Sequence, residues 1–133
     1  MPPDPVFFTD RNLGADYLPA ELRKVGFRIV VHDDHFNGRQ NVDDPEVIAE
    51  CGKNGWILLT GDSDMAQRWA REIRAAAIGV FCQINNHQGP RLWVPRIIQA
   101  KSSLLKATAK HEPPYFIILT AERRPKLKKL KNL

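Results

Sequence analysis

Cysteine, paired histidine and long apolar runs are all scarce in this chain of 133 residues, and each scarcity removes a class of protein. Cys51 and Cys82 are the only cysteines, too few for a disulfide framework or a zinc set, so a reduced protein with two inert, packed thiols is expected. No apolar run approaches the roughly 20 residues that cross a bilayer, so no membrane partner is expected. The opening Met-Pro-Pro-Asp-Pro lacks the charged and apolar regions of a secretory signal, and a cytoplasmic chain is the expectation. His32, His35, His87 and His111 are scattered, with no i, i+4 pair of the kind that holds a metal on a helix, and read as neutral surface residues. No internal repeat is visible. The chain is 43% hydrophobic and 26% charged, which fits one soluble globular domain and excludes wholesale disorder.

The net charge of +5 conceals an asymmetry. Residues 1–64 hold six basic and twelve acidic side chains, whereas residues 65–133 hold fourteen and three. The cations concentrate at the end, where Arg123, Arg124, Lys126, Lys128, Lys129 and Lys131 face Glu122 alone. This divides the chain into a domain over 1–119 and a basic tail over 120–133, expected to be solvated and flexible. Clustered carboxylates invite metal ions, and cations elsewhere on the surface invite phosphates.

Short apolar runs punctuated by helix signals give the organisation. Strands are predicted over Val6–Thr9, 27–31, 56–60, 79–84 and Tyr115–Leu119. Leu18, Leu22 and Val25 recur with helical spacing between Asp16 and Gly26. Asp43-Asp44-Pro45-Glu46 announces a second helix, and Gly52 and Gly55 close it. Met65, Trp69, Ile73 and Ala76 or Ala77 form the apolar stripe of a third, with Arg68, Arg71 and Arg74 as a basic ridge. A long helix is predicted over 95–110, and loops over 32–42 and 85–89. Alternating strands and helices define an α/β fold with three layers, α/β/α, around a mostly parallel sheet of about five strands.

In such a sheet the loops leaving the strands' carboxyl ends converge on one edge, where ligand sites form. Three of the first four predicted strands exit into acid: Asp10, then Asp33 and Asp34, then Asp62 and Asp64. Asp43, Asp44 and Glu46 begin a helix that could start at the opposite edge, and spacing alone does not decide whether Asp44 joins the group. Gathered carboxylates coexist at neutral pH only with a cation or bound protons, and hard oxygen ligands favour Mg²⁺ or Mn²⁺. An ion so held activates water against a phosphodiester, the chemistry of nucleic-acid hydrolysis.

A purely structural reading accounts for several of the same residues. Aspartate is a favoured helix N-cap, and Asp16, Asp43 or Asp44, and Asp62 or Asp64 all stand at helix starts. For Asp43 and Glu46, spaced as a capping box, that reading is preferred. Asp10 resists it best, because a polar loop follows its strand. Trp56, Trp69 and Trp93 read as core rather than as stacking platforms. The arginine ridge is explained equally well as a solvated face.

Taken in order, Phe8-Thr9-Asp10-Arg11-Asn12-Leu13, Asp43-Asp44-Pro45-Glu46-Val47-Ile48 and Leu58-Leu59-Thr60-Gly61-Asp62-Ser63-Asp64-Met65 resemble the small PIN-like domains, including short members related to the VapC toxins of bacterial toxin–antitoxin pairs. The resemblance covers roughly residues 6–84 and implies a metal-dependent ribonuclease. It implies that Asp10, Asp44, Asp62 and Asp64 are catalytic carboxylates binding one or two Mg²⁺ or Mn²⁺, supported by Asn12 and Thr60, with Asp43 and Glu46 beside them. Larger PIN domains supply a further acidic residue from an extra helical region before the acidic helix. This chain is short there, so either Asp33, Asp34 or Asp43 substitutes or the metal site is thinner and the activity weak or absent.

The expected function is therefore hydrolysis of RNA by a toxin paired with an antitoxin protein, with a homodimer implied by resemblance. Arg11, Arg68, Arg71, Arg74, Arg123, Arg124, Lys126, Lys128 and Lys129 are the expected RNA contacts. One rival is a receiver-like signalling module, which would need an acidic pair after strand one and a lysine after strand five; here Asp10 stands alone and the lysine comes only at Lys126. The other is a non-catalytic nucleic-acid binder whose carboxylates are caps.

Overall fold

Five apolar runs become five parallel strands in the computed structural model, which describes residues 4–39, 41–84, 89–119 and 125–128. The chain runs β1 (Val6–Thr9), a 3-10 turn (Arg11–Leu13), α1 (Tyr17–Lys24), β2 (Arg28–Val31), α2 (His32–His35), α3 (Asp44–Asn54), β3 (Ile57–Thr60), α4 (Met65–Arg68), α5 (Ala70–Ala76), β4 (Gly79–Gln83), α6 (Pro90–Gln99), α7 (Lys101–Lys110), β5 (Tyr115–Leu119) and β6 (Pro125–Lys128). The sheet order is β2-β1-β3-β4-β5-β6, with every neighbouring pair parallel except β5 and β6. No helix among the described residues is long and apolar enough to cross a membrane.

Strand alternation feeds two cores, which makes the fold three-layered as expected. On one face Phe7, Leu59, Phe81 and Ile117 pack with Leu18 and Leu22 of α1, Trp93 and Ile97 of α6, and Leu104 of α7. On the other Phe8, Leu58, Val80 and Phe116 pack with Val47, Ile48 and Cys51 of α3, Met65 of α4 and Ile73 of α5. Neighbouring strand residues thus point to opposite cores, so both faces of each strand must be apolar. Cys51 and Cys82 are fully buried. Burial pushes the Cys51 thiol above its usual range, with the Asp10 and Glu50 charges adding to it, as suits a packing residue.

Four local expectations change. Residues 32–35, expected as loop, form the single turn α2, which continues directly from β2 and is closed by Phe36 N–H donating to His32 O at 2.9 Å. Phe36 is buried against Phe8, and this apolar anchor pins an otherwise polar stretch. The helix predicted from Met65 breaks into α4 and α5 at Trp69, whose φ of −121° and ψ of 26° leave the helical region. The long helix starts at Pro90 rather than Pro95 and is interrupted at Ala100; Pro90 takes the first-turn position where a missing N–H costs nothing, and Pro95 lies inside α6. Residues 125–128, assigned by sequence to a flexible tail, form β6, antiparallel to β5 at the sheet edge. Proline opening an edge strand and lysines along it are the composition such an edge tolerates.

The order 2-1-3-4-5 places the topological switch between β1 and β3, because the chain winds one way from β1 to β2 and the other way from β3 onward. A crevice is expected there, at the carboxyl ends of the two strands. Asp10 and Thr60 occupy those ends.

Candidate active site

Asp10 follows the last residue of β1, and its own N–H continues the ladder by donating to Leu59 O at 2.9 Å. Its carboxylate caps the 3-10 turn: Oδ1 accepts from Arg11 N–H at 2.8 Å, and Oδ2 accepts from the Thr60 hydroxyl at 2.9 Å. Thr60, the last residue of β3, is fully buried and uses its oxygen as a hub. While donating to Asp10, Oγ1 accepts from Asn12 Nδ2 and from Asp62 N–H, both at 3.2 Å. One donor and two acceptor positions are thereby filled. Asn12 Oδ1 in turn accepts from Gly61 N–H at 2.9 Å, tying the two strand exits together.

Asp44, the first residue of α3, shares a cleft of about 160 Å³ with Asp10, lined also by Arg11, Asn12, His32 and Val42. Asp44 Oδ2 accepts from the indole N–H of Trp69 at 3.1 Å. Asp10 is only 6% exposed, and its carboxyl is raised above the usual value. Burial is the largest cause, the Asp44 charge adds to it, and the Thr60 and Arg11 hydrogen bonds and His32 oppose it. A desolvated carboxylate beside a second carboxylate, at a topological switch, is an arrangement that favours a bound cation.

The remaining acidic candidates are not among the residues lining this cleft. Asp62 and Asp64 do not line this cleft: Asp62 Oδ1 accepts from Asp64 N–H at 3.0 Å in the turn that starts α4, and Asp64 is exposed. Asp43 caps α3 by accepting from Glu46 N–H at 3.2 Å, while Glu46 pairs with Arg39 at 3.1 Å instead of returning to close a capping box. Asp33 lies within 3.6 Å of His32 Nδ1. Among the described residues, no three or more histidine, cysteine, aspartate or glutamate side chains form a group that could hold a metal.

Of the basic candidates, Arg11 lines the cleft. Arg68 ends α4, and Arg71 and Arg74 belong to α5, so the break at Trp69 divides the predicted ridge. Lys126 and Lys128 belong to β6, whereas Arg123, Arg124 and Lys129 lie outside the described residues.

Two cleft-associated residues were not legible as such. His32 is 2% exposed, not a surface histidine, and its buried Nδ1 has no hydrogen-bond partner among the described residues. Its position directly after β2, at the sheet's carboxyl edge, was the available signal. Trp69, expected only as core, bonds to Asp44.

The fold and the cleft define a doubly wound α/β domain with paired carboxylates at its switch point. The PIN like domain family matches residues 5–83, more than half of the chain, and the chain belongs to that family. It is 32% identical over 79 residues to a Mycobacterium tuberculosis (strain ATCC 25618 / H37Rv) protein named "Putative ribonuclease VapC45", a match covering 56% of this chain and 57% of that protein. The chain thus spans a little over half of that relative's length. Among solved structures, none matches significantly.

Proposed function

We propose that the protein is a divalent-metal-dependent endoribonuclease, the toxin of a VapBC-like pair, acting on RNA in the cytoplasm and held in check by a cognate antitoxin. The juxtaposition of Asp10 and Asp44 in the switch-point cleft carries this reading. The two carboxylates fit a hard cation: Mg²⁺ is commonly held by one or two carboxylates together with water and substrate phosphate. Desolvation and like charge at Asp10 are the penalties that such an ion offsets.

Asp10 and Asp44 would hold Mg²⁺ or Mn²⁺, and the ion would supply an acidified water and stabilise charge on the phosphodiester. The Thr60 hydroxyl and the Arg11 N–H hold the Asp10 carboxylate against rotation, and Asn12 steadies Thr60, so little ordering remains when substrate arrives. Asp62 and Asp64, on the turn bonded to Thr60, are assigned to the outer side of the site, where water and phosphate approach. Arg11 at the cleft, then Arg68, Arg71 and Arg74, and the basic residues from Arg123 to Lys129 are assigned to the RNA backbone, whose binding is electrostatic. The pairing with an antitoxin and the homodimer are proposed from the resemblance to VapC-type toxins, a kinship to which the relative named VapC45 lends support.

The test is cleavage of RNA by the full chain with Mg²⁺ or Mn²⁺, compared with Asp10→Asn and Asp44→Asn. Each variant is expected to lose at least about 100-fold, and EDTA to abolish the wild-type activity. Undiminished cleavage by a folded Asp10→Asn, Asp44→Asn double variant would overturn the proposal.

A further inference from the structure

We propose that Trp69 is a positioning residue for Asp44: the indole N–H fixes the carboxylate that faces Asp10 across the cleft. This inference rests on the metal-dependent reading above. Two independent features of the chain carry it. The indole Nε1 donates to Asp44 Oδ2 at 3.1 Å, across 25 residues of sequence. The backbone leaves helical geometry at Trp69 itself, although a continuous apolar stripe runs from Met65 to Ile73. Hydrogen bonding survives the break, since Trp69 N–H donates to Met65 O and Trp69 O accepts from Ile73 N–H, both at 2.9 Å. The break orphans neither backbone group of Trp69, and the indole of the same residue makes the bond to Asp44.

The chemistry of the donor matters. An indole N–H is a donor only, carries no charge and does not titrate. It selects one orientation of the Asp44 carboxylate while leaving the full negative charge for a cation. An arginine or lysine in the same place would orient the carboxylate and also neutralise it. Partners of this kind, one bond removed from a metal, typically contribute a factor of about 10–100 in affinity.

The test uses the full chain labelled with ¹⁵N and two readouts. In the metal-free protein, Asp44→Asn should shift the Trp69 indole N–H resonance and leave those of Trp56 and Trp93 in place. On Mn²⁺ titration the Trp69 resonance should broaden before the other two. Trp69→Phe should then weaken Mn²⁺ binding about 10- to 100-fold in a protein that still folds, with Tm lowered by the lost packing and indole hydrogen bond. Wild-type affinity in Trp69→Phe, with binding lost in Asp44→Asn, would overturn this inference and leave the proposed function standing. Wild-type affinity in Asp44→Asn would overturn both. Should Trp69→Phe fail to fold, the metal-free comparison decides: an indole resonance indifferent to Asp44→Asn removes the inference, and a shifted one supports it.

Discussion

Replacing Thr60 by valine isolates the hub that holds Asp10. The substitution keeps shape and burial but removes the donor to Asp10 Oδ2 and the acceptor for Asn12 Nδ2 and Asp62 N–H. A hydrogen bond to a charged group contributes about 1.5–3 kcal/mol, and stranding buried polar atoms costs about 1–3 kcal/mol more. A loss of about 3 kcal/mol at pH 8 is expected, a fall of roughly 10 °C in Tm for a domain of this size. The loss should depend on pH in a defined direction. Native Asp10 titrates above its reference value of 3.8, so ionised Asp10 costs stability above the native pKa and nothing below 3.8. The Thr60 bond lowers that native pKa, and removing it raises the pKa further, so the added cost grows as pH rises. Urea unfolding of the metal-free protein at pH 4 and pH 8, with Thr60→Ser as the control that keeps the hydroxyl, measures the difference. Equal destabilisation at the two pH values would refute the assignment of Thr60 as a partner of charged Asp10.

Two further substitutions separate scaffold from site. Asp43→Ala removes the cap on Glu46 N–H and should cost about 1 kcal/mol in chemical denaturation while leaving RNA cleavage intact; cleavage lost at unchanged fold would make Asp43 a ligand instead of a cap. Gly79→Ala would put a Cβ 2.1 Å from the Tyr115 ring, which is buried against Phe81, and should cost at least about 1–3 kcal/mol by thermal unfolding; a variant as stable as the wild type would mean that Tyr115 swings clear.

The strands were legible because each one packs on both faces. A run such as Ile57-Leu-Leu-Thr60 has no amphipathic alternative, and five such runs between helix signals leave few topologies. Helix limits were less legible where punctuation is duplicated. Pro90 and Pro95 both qualify as a first-turn proline, and only packing of Trp93 and Val94 into the core extends the helix back to Pro90. The break at Trp69 leaves no trace in periodicity, because the apolar stripe from Met65 to Ile73 runs straight through it. β6 was hidden by its charge, since Lys-Leu-Lys reads as solvated until a neighbouring strand offers Phe116–Leu119 as a partner.

The site divides along the same line. Asp10 could be found from sequence because it stands just beyond the end of a buried strand, a place that topology determines, whereas Asn12 and Thr60 were implied by the resemblance to PIN-like domains. For Asp44 spacing left the matter open and the resemblance alone implied it, because a residue opening a helix is located by whatever holds that helix. Here the connection from β2 is anchored by Phe36 and Val42, and α3 is docked through Val47, Ile48 and Cys51. Gly52 completes the docking, for a Cβ there would come within 2.9 Å of Ala76, so α3 and α5 lie closer than any other residue would allow. That close approach puts α3 against the helix pair carrying Trp69, and the indole then reaches Asp44. The carboxylate pair is thus a product of core packing on the α3 face: substitutions that push α3 outward should disturb Asp44 before they disturb Asp10, which the strand ladder holds independently.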